Sequence, residues 1–188
     1  GQAAETRWRI GGTYNLENAL AAVAAAASAG VTLEQAVDSM SRFDGVKRRM
    51  ERTATVADIA IYDDFAHHPT AIAKSIRSMR RRYPGHRIVV AVEPRSNTMK
   101  LGVHNETLAH ALQDADLVWM YRPDGMPADF ESSLESLGKK LRLYDDYDRL
   151  VNDMSTRVLG GDQVIFMSNG GFGSARQTLT ALLQRTRA

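Results

Sequence analysis

Short apolar runs alternate with longer amphipathic stretches from about residue 46 to the end of the chain. Runs of four or five apolar residues are typical of buried strands, and apolar residues three and four apart are typical of helices. Strands that alternate with helices predict right-handed crossovers and a mostly parallel sheet with helices on both faces. We therefore predict an α/β fold. Its strands are predicted at 59–62, 88–92, 117–121, 141–144 and 164–168, with a candidate edge strand in 48–56, and its helices at 70–83, 105–115, 131–137, 147–159 and 174–187.

The first 44 residues differ in character from the rest of the chain. After a strand candidate at 7–10, a helix is predicted at about 15–29, where Gly30 ends it. A second helix is predicted to begin at Thr32, because Thr32 and Gln35 have the spacing of a capping box. This all-helical segment predicts a domain boundary near residue 44. The predicted domains are residues 1–44 and residues 45–188.

The composition excludes several classes of protein. The 188 residues contain no cysteine, so disulfides, thiol nucleophiles and cysteine-ligated metals are excluded. The sequence has no run of about 18 apolar residues and no signal pattern, so we expect no membrane partner and a cytoplasmic location. The formal net charge is only +2, which makes nucleic acid an unfavoured partner.

Polar segments follow four of the predicted strands. Ligands of open parallel sheets bind beyond the carboxyl ends of the strands. The segments at these ends are rich in charged, polar or glycine residues, whereas the opposite ends are less polar. This asymmetry predicts a site at the carboxyl edge of the sheet. The four segments are YDDFAHHP (62–69), EPRSNTMKLG (93–102), RPDG (122–125) and SNGGFGS (168–174).

The segment YDDFAHHP is open to three interpretations. Its acids and histidines could bind a metal ion, but Pro69 disfavours a helical conformation at His68, and no further cluster completes the ligand set. Asp63 or Asp64 could instead cap the following helix. A carboxylate at a strand end beside a flat imidazole also suits a nucleoside, with the acid accepting from ribose hydroxyls and the ring lying on the base.

Two further segments suit anionic ligands, although each has a plain structural explanation. SNGGFGS resembles a phosphate-binding loop before a helix, but it lacks the Lys-Ser/Thr of a Walker A sequence, and a tight turn explains it equally well. EPRSNTMK offers Arg95 and Lys100, which suit carboxylate recognition. Solvated loop charges are the alternative there.

Three motifs resemble the C-terminal region of the Mur ligases, the ATP-dependent amide-forming enzymes of bacterial cell-wall precursor synthesis. They are GGTYNLENALAAVAAA, FDGVKRRME and YDDFAHHPTAI, in the family's order and spacing. The paired histidines and EPRSNTMKLG are most similar to the members that join the murein tripeptide L-Ala-γ-D-Glu-meso-diaminopimelate to UDP-N-acetylmuramate. The alternative within the family is a ligase that adds L-alanine to the same UDP sugar. Tyr14 departs from the family pattern, which has histidine at this position.

The resemblance implies that the chain is part of a larger enzyme. Mur ligases combine a UDP-sugar domain, a central ATPase domain with a P-loop, and a C-terminal Rossmann-like domain. No P-loop sequence occurs here, so residues 1–44 would be the helical end of the central domain and residues 45–188 the Rossmann-like domain. The residues that bind phosphate and Mg²⁺ would belong to the remaining N-terminal and central domains. This chain alone is expected to be inactive.

The same resemblance implies roles for particular side chains. At ATP, Asn15 and Asn18 would contact the adenine, Arg49 would reach the nucleotide, Asp64 would hold the ribose hydroxyls and His67 would lie against the purine. The residues expected at the tripeptide are Arg95, Asn97, Lys100, Arg122, Asn169, Gly170 and Gly171. No catalytic residue and no metal ligand is assigned to this chain.

Two other classes of function are kept as alternatives. A nucleotide- or RNA-binding module without catalysis would carry aromatic residues interleaved with Lys and Arg on one exposed surface. A metal-dependent hydrolase would use the acids and histidines of YDDFAHHP as ligands.

Overall fold

In the computed structural model, the first part of the chain is helical, and the second part is a sheet covered by helices. The structure describes residues 3–8, 10, 12–95 and 105–187. The chain divides into two compact units, Gly1–Val46 and Lys47–Ala188. Among the described residues, no helix has both the length and the apolar character needed to cross a bilayer.

The N-terminal unit contains the helices α1 (Thr13–Ser28) and α2 (Leu33–Ser41). The predicted capping box at the start of α2 is confirmed. The Gln35 backbone N–H donates to Thr32 Oγ1 over 3.2 Å, and the Thr32 N–H donates to Gln35 Oε1 over 3.2 Å. Two of the backbone donors at this helix end are thereby satisfied.

The predicted strand at 7–10 is wrong for residues 7, 8 and 10, which have no regular structure. A strand needs a neighbour for its backbone hydrogen bonds, and the described part of this unit contains no strand. The Trp8 indole N–H instead donates to the Phe43 carbonyl over 3.2 Å, and the two rings lie 6.4 Å apart. The apolar side chain that suggested a strand therefore packs within a loop.

The second unit is built on a six-stranded sheet, which confirms the predicted α/β class and the candidate edge strand. The strands lie in the order β1-β2-β6-β3-β4-β5. Only the pairing of β1 with β2 is antiparallel, and the other four pairings are parallel. The strands are β1 (Glu51–Val56), β2 (Ile59–Asp64), β3 (Ile88–Val92), β4 (Leu117–Tyr121), β5 (Leu141–Tyr144) and β6 (Gln163–Met167).

Helices cover both faces of the sheet, as predicted. The helices are α3 (Pro69–Arg82), α4 (Asn105–Leu112), α5 (Tyr147–Arg157) and α6 (Ala175–Arg187), with 3-10 helices at Ser132–Lys140 and Phe172–Ser174. The segment predicted as an α-helix at 131–137 is therefore a 3-10 helix, in which Gly138 has non-helical backbone angles.

Each face of the sheet has its own apolar core. Tyr62 and Ile72 belong to the core under α3 and α4, whereas Ile61 and Leu179 belong to the core under α5 and α6. Successive strand residues point to opposite faces. β6 lies between β2 and β3, although it follows both in sequence. This order brings the carboxyl ends of β2, β6 and β3 side by side.

Candidate functional site

The carboxyl edge of the sheet joins three of the four polar segments. The Ser168 backbone N–H donates to the Asp64 carbonyl over 3.1 Å, and the Glu93 N–H donates to the Met167 carbonyl over 3.0 Å. These bonds extend the parallel ladders by one residue beyond the strands. The segments after β2, β6 and β3 are consequently in register with one another.

The two adjacent aspartates at the end of β2 point to opposite faces of the sheet. The Asp64 side chain is buried on the α3 side, where Oδ2 accepts from the Ser75 hydroxyl over 2.5 Å and Oδ1 accepts from the Ala66 N–H over 3.2 Å. Asp63 lies on the α6 side, with Oδ2 at 3.5 Å from Arg48 Nε and 3.4 Å from Arg176 Nη2. The residue that caps α3 is His68, whose Nδ1 accepts from Thr70 N–H. The interpretation of Asp63 or Asp64 as this cap is therefore wrong.

Burial raises the pKa of the Asp64 carboxyl, because a charged carboxylate is poorly solvated inside the protein. The hydrogen bonds from Ser75 and Ala66 and the positive charge of Arg49 act in the opposite direction. The net effect is a pKa above that of an exposed aspartate. The protonated form of Asp64 is thus stabilised by folding.

Asp64→Asn is expected to make the stability of this chain less dependent on pH. The folded chain holds the Asp64 proton more tightly than the unfolded chain does. The contribution of Asp64 to the free energy of unfolding is therefore full below the unfolded pKa, about 3.9, and is lost as the pH rises through the raised folded pKa. Asparagine keeps the shape and one acceptor oxygen, which can still receive the Ala66 N–H, while its NH2 group can donate to the Ser75 hydroxyl and neither group titrates. Thermal unfolding at several pH values between about 4 and 7 measures the difference.

The expected result is that the melting temperature of Asp64→Asn increases relative to that of the wild type as the pH rises. Asp145→Asn is the matched control, because the Asp145 carboxylate is largely exposed. A difference in melting temperature between Asp64→Asn and the wild type that does not change with pH would contradict the inferred burial effect.

Arg48 links the segments after β2 and β6. Its backbone has a φ of 56°, and its carbonyl accepts from the Phe65 N–H over 2.7 Å. Its guanidinium donates to the Ser168 carbonyl over 2.7 Å and also to the Gly170 carbonyl. A non-glycine residue with positive φ is uncommon and is frequently found at functional sites. The sequence analysis assigned only the neighbouring residue, Arg49, to the site.

A cationic and aromatic corner lies at the end of β2, formed by Arg48, Arg49, Phe65 and His67. The two guanidinium carbons lie 5.2 and 5.4 Å from the centre of the Phe65 ring, and Arg49 is exposed. The half-buried His67 ring lies edge-on to Phe65, with centroids 5.2 Å apart. His67 Nδ1 is 2.9 Å from the Phe65 carbonyl. Since a carbonyl only accepts, Nδ1 carries the proton, and Nε2 is the acceptor of a neutral ring.

A pocket of about 220 Å³ opens on the α6 side of the same edge. Its walls combine two arginines, one acid, the glycine turn after β6 and two phenylalanine rings. The lining residues are Arg48, Asp63, Phe166, Ser168, Gly170, Gly171, Phe172, Arg176 and Gln177. With two guanidinium groups and a single carboxylate, the pocket suits an anionic group.

A buried acid completes the edge at the end of β3. The Glu93 side chain is 1% exposed. Its Oε1 accepts from the Tyr147 hydroxyl, and its Oε2 accepts from the Ser168 hydroxyl over 2.5 Å. The Ser168 oxygen in turn accepts from the Gly170 N–H over 2.8 Å. Sequence reasoning assigned Glu93, Tyr147 and Ser168 no role, since these hydrogen bonds join residues 54 and 75 positions apart.

Arg95 lies directly against the glycine turn. A Cβ atom built on Gly170 would be 2.8 Å from Arg95 Cδ and 2.9 Å from Nη1, so only glycine permits this approach. Arg95 Nη1 is 3.9 Å from Glu93 Oε1, and its side chain is about half exposed, at 53%. The guanidinium therefore has hydrogen-bonding capacity facing solvent at the edge.

The structure brings some of the predicted site residues together and leaves others apart. The residues Arg49, Asp64, His67, Arg95, Asn169, Gly170 and Gly171 all lie at the carboxyl edge of β2, β6 and β3. Asn15 and Asn18 are one turn apart on α1, in the N-terminal unit. Asn97 and Lys100 lie outside the described residues.

Arg122 lines a different pocket from the one beside the glycine turn. It follows β4, and its Nη1 donates to Glu131 Oε1 over 2.6 Å. The two residues line a pocket of about 280 Å³ formed by residues 122–128, 130 and 131. This pocket shares no lining residue with the one beside Gly170.

The metal-hydrolase interpretation has no donor set in the described parts of the chain. No three histidine or carboxylate side chains converge there. Asp63 and Asp64 cannot share an ion, because they point to opposite faces of the sheet and are held by Arg48, Arg176 and Ser75.

Comparison with known proteins identifies the family. The family model described as "Mur ligase, glutamate ligase domain" matches residues 48–170. A Haemophilus influenzae UDP-N-acetylmuramate–L-alanyl-γ-D-glutamyl-meso-2,6-diaminoheptandioate ligase is 38% identical over 95% of this chain. The chain spans only 40% of the length of that relative.

Two crystal structures show the same fold. A murein peptide ligase from Psychrobacter arcticus is 36% identical, with a TM-score of 0.75 over 97% of this chain and 39% of its own. A domain of a Haemophilus ducreyi protein is 38% identical, with a TM-score of 0.60, and covers 71% of this chain and 99% of its own. The match of the family model over most of the chain, together with these likenesses, shows that this chain belongs to the Mur ligase family.

Proposed function

We propose that this chain is the C-terminal part of an ATP-dependent ligase that joins L-Ala-γ-D-Glu-meso-diaminopimelate to UDP-N-acetylmuramate in peptidoglycan recycling. The observation that carries the proposal is the 38% identity, over 95% of the chain, to a ligase whose name gives these substrates. The arginines at the carboxyl edge support it, because the tripeptide carries three carboxylates. The second candidate is a ligase for L-alanine, since relatives of that name are 29–30% identical over most of the chain.

The N-terminal unit is proposed to be the end of a central ATPase domain, with residues 1–44 in that domain and residues 45–188 in the C-terminal one. Helix α1 supports this assignment, because it buries none of its residues. Leu16 and Leu20, one turn apart, are 56% and 64% exposed. An apolar helix face normally packs against further protein. The remaining N-terminal and central domains of the same enzyme are the proposed partners.

The cationic and aromatic corner is the proposed contact for the adenosine part of ATP. The half-buried His67 ring offers a flat surface to a purine, and the Arg49 guanidinium is placed to meet negative charge. Asn15 and Asn18 are proposed to contact the adenine. Asp64 would hold the ribose hydroxyls only if they replace the Ser75 hydroxyl or the Ala66 N–H as its donors.

The glycine turn and its arginines are the proposed binding site for the peptide. Arg95 and the Asn169–Gly171 turn would receive carboxylates of the tripeptide, and Asn97, Lys100 and Arg122 would add contacts around them. The proposed reaction phosphorylates the carboxylate of UDP-N-acetylmuramate with ATP, after which the peptide amine attacks the acyl phosphate and releases phosphate. The role of this chain is to bind and orient the nucleoside and the peptide. The Mg²⁺ ligands and phosphate-binding loop are proposed to lie in the central domain.

The test is product formation by the full-length protein and by this chain, each with ATP, Mg²⁺, UDP-N-acetylmuramate and the tripeptide. Mass spectrometry is expected to detect the UDP-muramyl tripeptide with the full-length protein and none with the 188-residue chain. Ligation by the chain alone would contradict the domain assignment. Absence of ligation by a folded full-length protein would contradict the proposed function.

A further inference from the structure

Glu93 is a buried acid whose two carboxyl oxygens are bound by hydroxyl groups, with the Arg95 guanidinium at the outer limit of ion-pair distance. Its side chain is 1% exposed, and the nearest recorded guanidinium nitrogen, Arg95 Nη1, is 3.9 Å from Oε1. A buried charge is costly unless hydrogen bonds satisfy it. Here each oxygen receives one hydroxyl hydrogen bond, from Tyr147 and from Ser168. An apolar residue could fill this position without needing two hydroxyl partners, so the buried acid points to a role other than packing.

The hydrogen bonds of Glu93 lead directly to the proposed peptide site. Oε2 orients the Ser168 hydroxyl, and the Ser168 oxygen accepts the Gly170 N–H over 2.8 Å. The Arg95 side chain lies on Gly170, at a distance that leaves no room for a Cβ atom. Glu93, Ser168, Gly170 and Arg95 therefore form a closed ring of contacts, in which the Arg95 side chain lies between the turn and Glu93.

Tyr147 is held so that its hydroxyl meets Glu93. Its ring stacks on Tyr121 with centroids 4.0 Å apart and an angle of 14° between the planes. The ring also leaves room only for glycine at position 173, where a Cβ atom would be 2.5 Å from Tyr147 Cε2. Burial and the hydrogen bond to Glu93 raise the pKa of the Tyr147 hydroxyl. The hydroxyl therefore remains a donor throughout the neutral pH range.

We propose that Glu93, Tyr147 and Ser168 are positioning residues, which hold the Gly170 turn and the Arg95 guanidinium in the arrangement that binds the peptide carboxylates. This inference rests on the proposed function, because it takes the tripeptide as the ligand of the turn. The three side chains act through Gly170 and Arg95, and none of them needs to touch the peptide.

The experiment compares Tyr147→Phe and Ser168→Ala in the full-length ligase. Each variant removes one hydroxyl of the network and leaves the apolar packing in place. Each is expected to raise the Michaelis constant for the tripeptide by about tenfold, with that for ATP changed by less than about twofold. In this chain, the Gly170 amide is expected to exchange its hydrogen faster in both variants, as measured by NMR.

Tyr62→Phe is the matched control, because the Tyr62 hydroxyl is also buried and hydrogen-bonded, at 2.9 Å from Gln163 Oε1 and 3.1 Å from the Tyr83 hydroxyl. It is expected to lower the melting temperature. The Michaelis constant for the tripeptide and the rate of hydrogen exchange at the Gly170 amide are expected to stay unchanged. Variants of Tyr147 and Ser168 that lose stability only, as Tyr62→Phe does, would overturn the positioning role.

The outcomes separate this inference from the function on which it rests. A wild-type full-length protein that does not ligate the tripeptide contradicts the proposed function and, with it, the peptide as ligand of the turn. An active wild type, with tripeptide constants unchanged in Tyr147→Phe and Ser168→Ala, contradicts the positioning role alone. Unchanged Gly170 exchange in both variants also overturns it, whichever substrate the ligase takes.

Discussion

Arg95→Lys in the full-length ligase is expected to raise the Michaelis constant for the tripeptide roughly 30-fold, or about 2 kcal/mol. The planar guanidinium of Arg95 can make two parallel hydrogen bonds to one carboxylate, which a lysine ammonium cannot reproduce. The side chain is about half exposed at the edge and lies against Gly170, so its outer nitrogens face the proposed peptide site. Steady-state kinetics with varied tripeptide and with varied ATP measure the effect, and the ATP constant is expected to stay nearly unchanged.

Arg87→Lys provides the control for a lost guanidinium. Arg87 donates to Asp162 through Nε over 2.8 Å and through Nη2 over 2.6 Å, at the amino edge of the sheet. Its replacement is expected to reduce stability without changing either Michaelis constant. If Arg95→Lys leaves peptide kinetics within about twofold of the wild type, Arg95 is a solvated loop residue or only a partner of Glu93. The assignment of the peptide site to this turn would then be wrong.

Gly173→Ala is expected to reduce the free energy of unfolding by about 3 kcal/mol, or roughly 6–12 °C in melting temperature. Gly173 has a φ of +52°, which L-residues adopt only with strain. The added Cβ atom would also lie 2.5 Å from Tyr147 Cε2 and 2.6 Å from Cδ2. The Tyr147 ring cannot easily move away, because it is stacked on Tyr121 with the ring centroids 4.0 Å apart. Thermal and urea-induced unfolding of this chain measure the change.

Gly85→Ala separates the two causes of this destabilisation. Gly85 has a φ of +84° at the third position of a tight turn, which the His86 N–H closes by donating to the Tyr83 carbonyl over 3.2 Å, and a Cβ atom there would meet no heavy atom within 4 Å. Its replacement is expected to cost only the backbone strain, about 1–2 kcal/mol. The difference between the two variants therefore measures the overlap with Tyr147. Equal losses of stability in both variants would show that the ring moves freely and would contradict its close packing at the site.

The strands and most of the helices could be predicted from the sequence because their signals are local. Val89 and Val90 lie in an apolar run of strand length, and Ile72 and Ile76 recur at helical spacing. The predicted strand is wrong for residues 7, 8 and 10, because these residues have the right pattern but the described part of the N-terminal unit offers no strand to pair with. Periodicity reports the preference of a segment and gives no information on its pairing partner.

The arrangement of the site depended on contacts that the sequence does not display. The position of β6 between β2 and β3 brings Glu93 to Ser168, and nothing in either segment predicts that pairing. Strand alternation does predict that Asp63 and Asp64 face opposite sides of the sheet. It does not predict which of them is buried against Ser75 and which meets Arg176.

The measurement that tests the central claim most directly compares two substrates of the full-length ligase. With ATP and UDP-N-acetylmuramate present, kcat/KM is determined for the tripeptide and for L-alanine. Three carboxylates distinguish the tripeptide from L-alanine, which has one, and each well-paired arginine–carboxylate contact contributes about 1.5–3 kcal/mol. We predict that kcat/KM for the tripeptide exceeds that for L-alanine by at least about 100-fold. A kcat/KM for L-alanine equal to or greater than that for the tripeptide would contradict the account and would identify the enzyme as an L-alanine ligase.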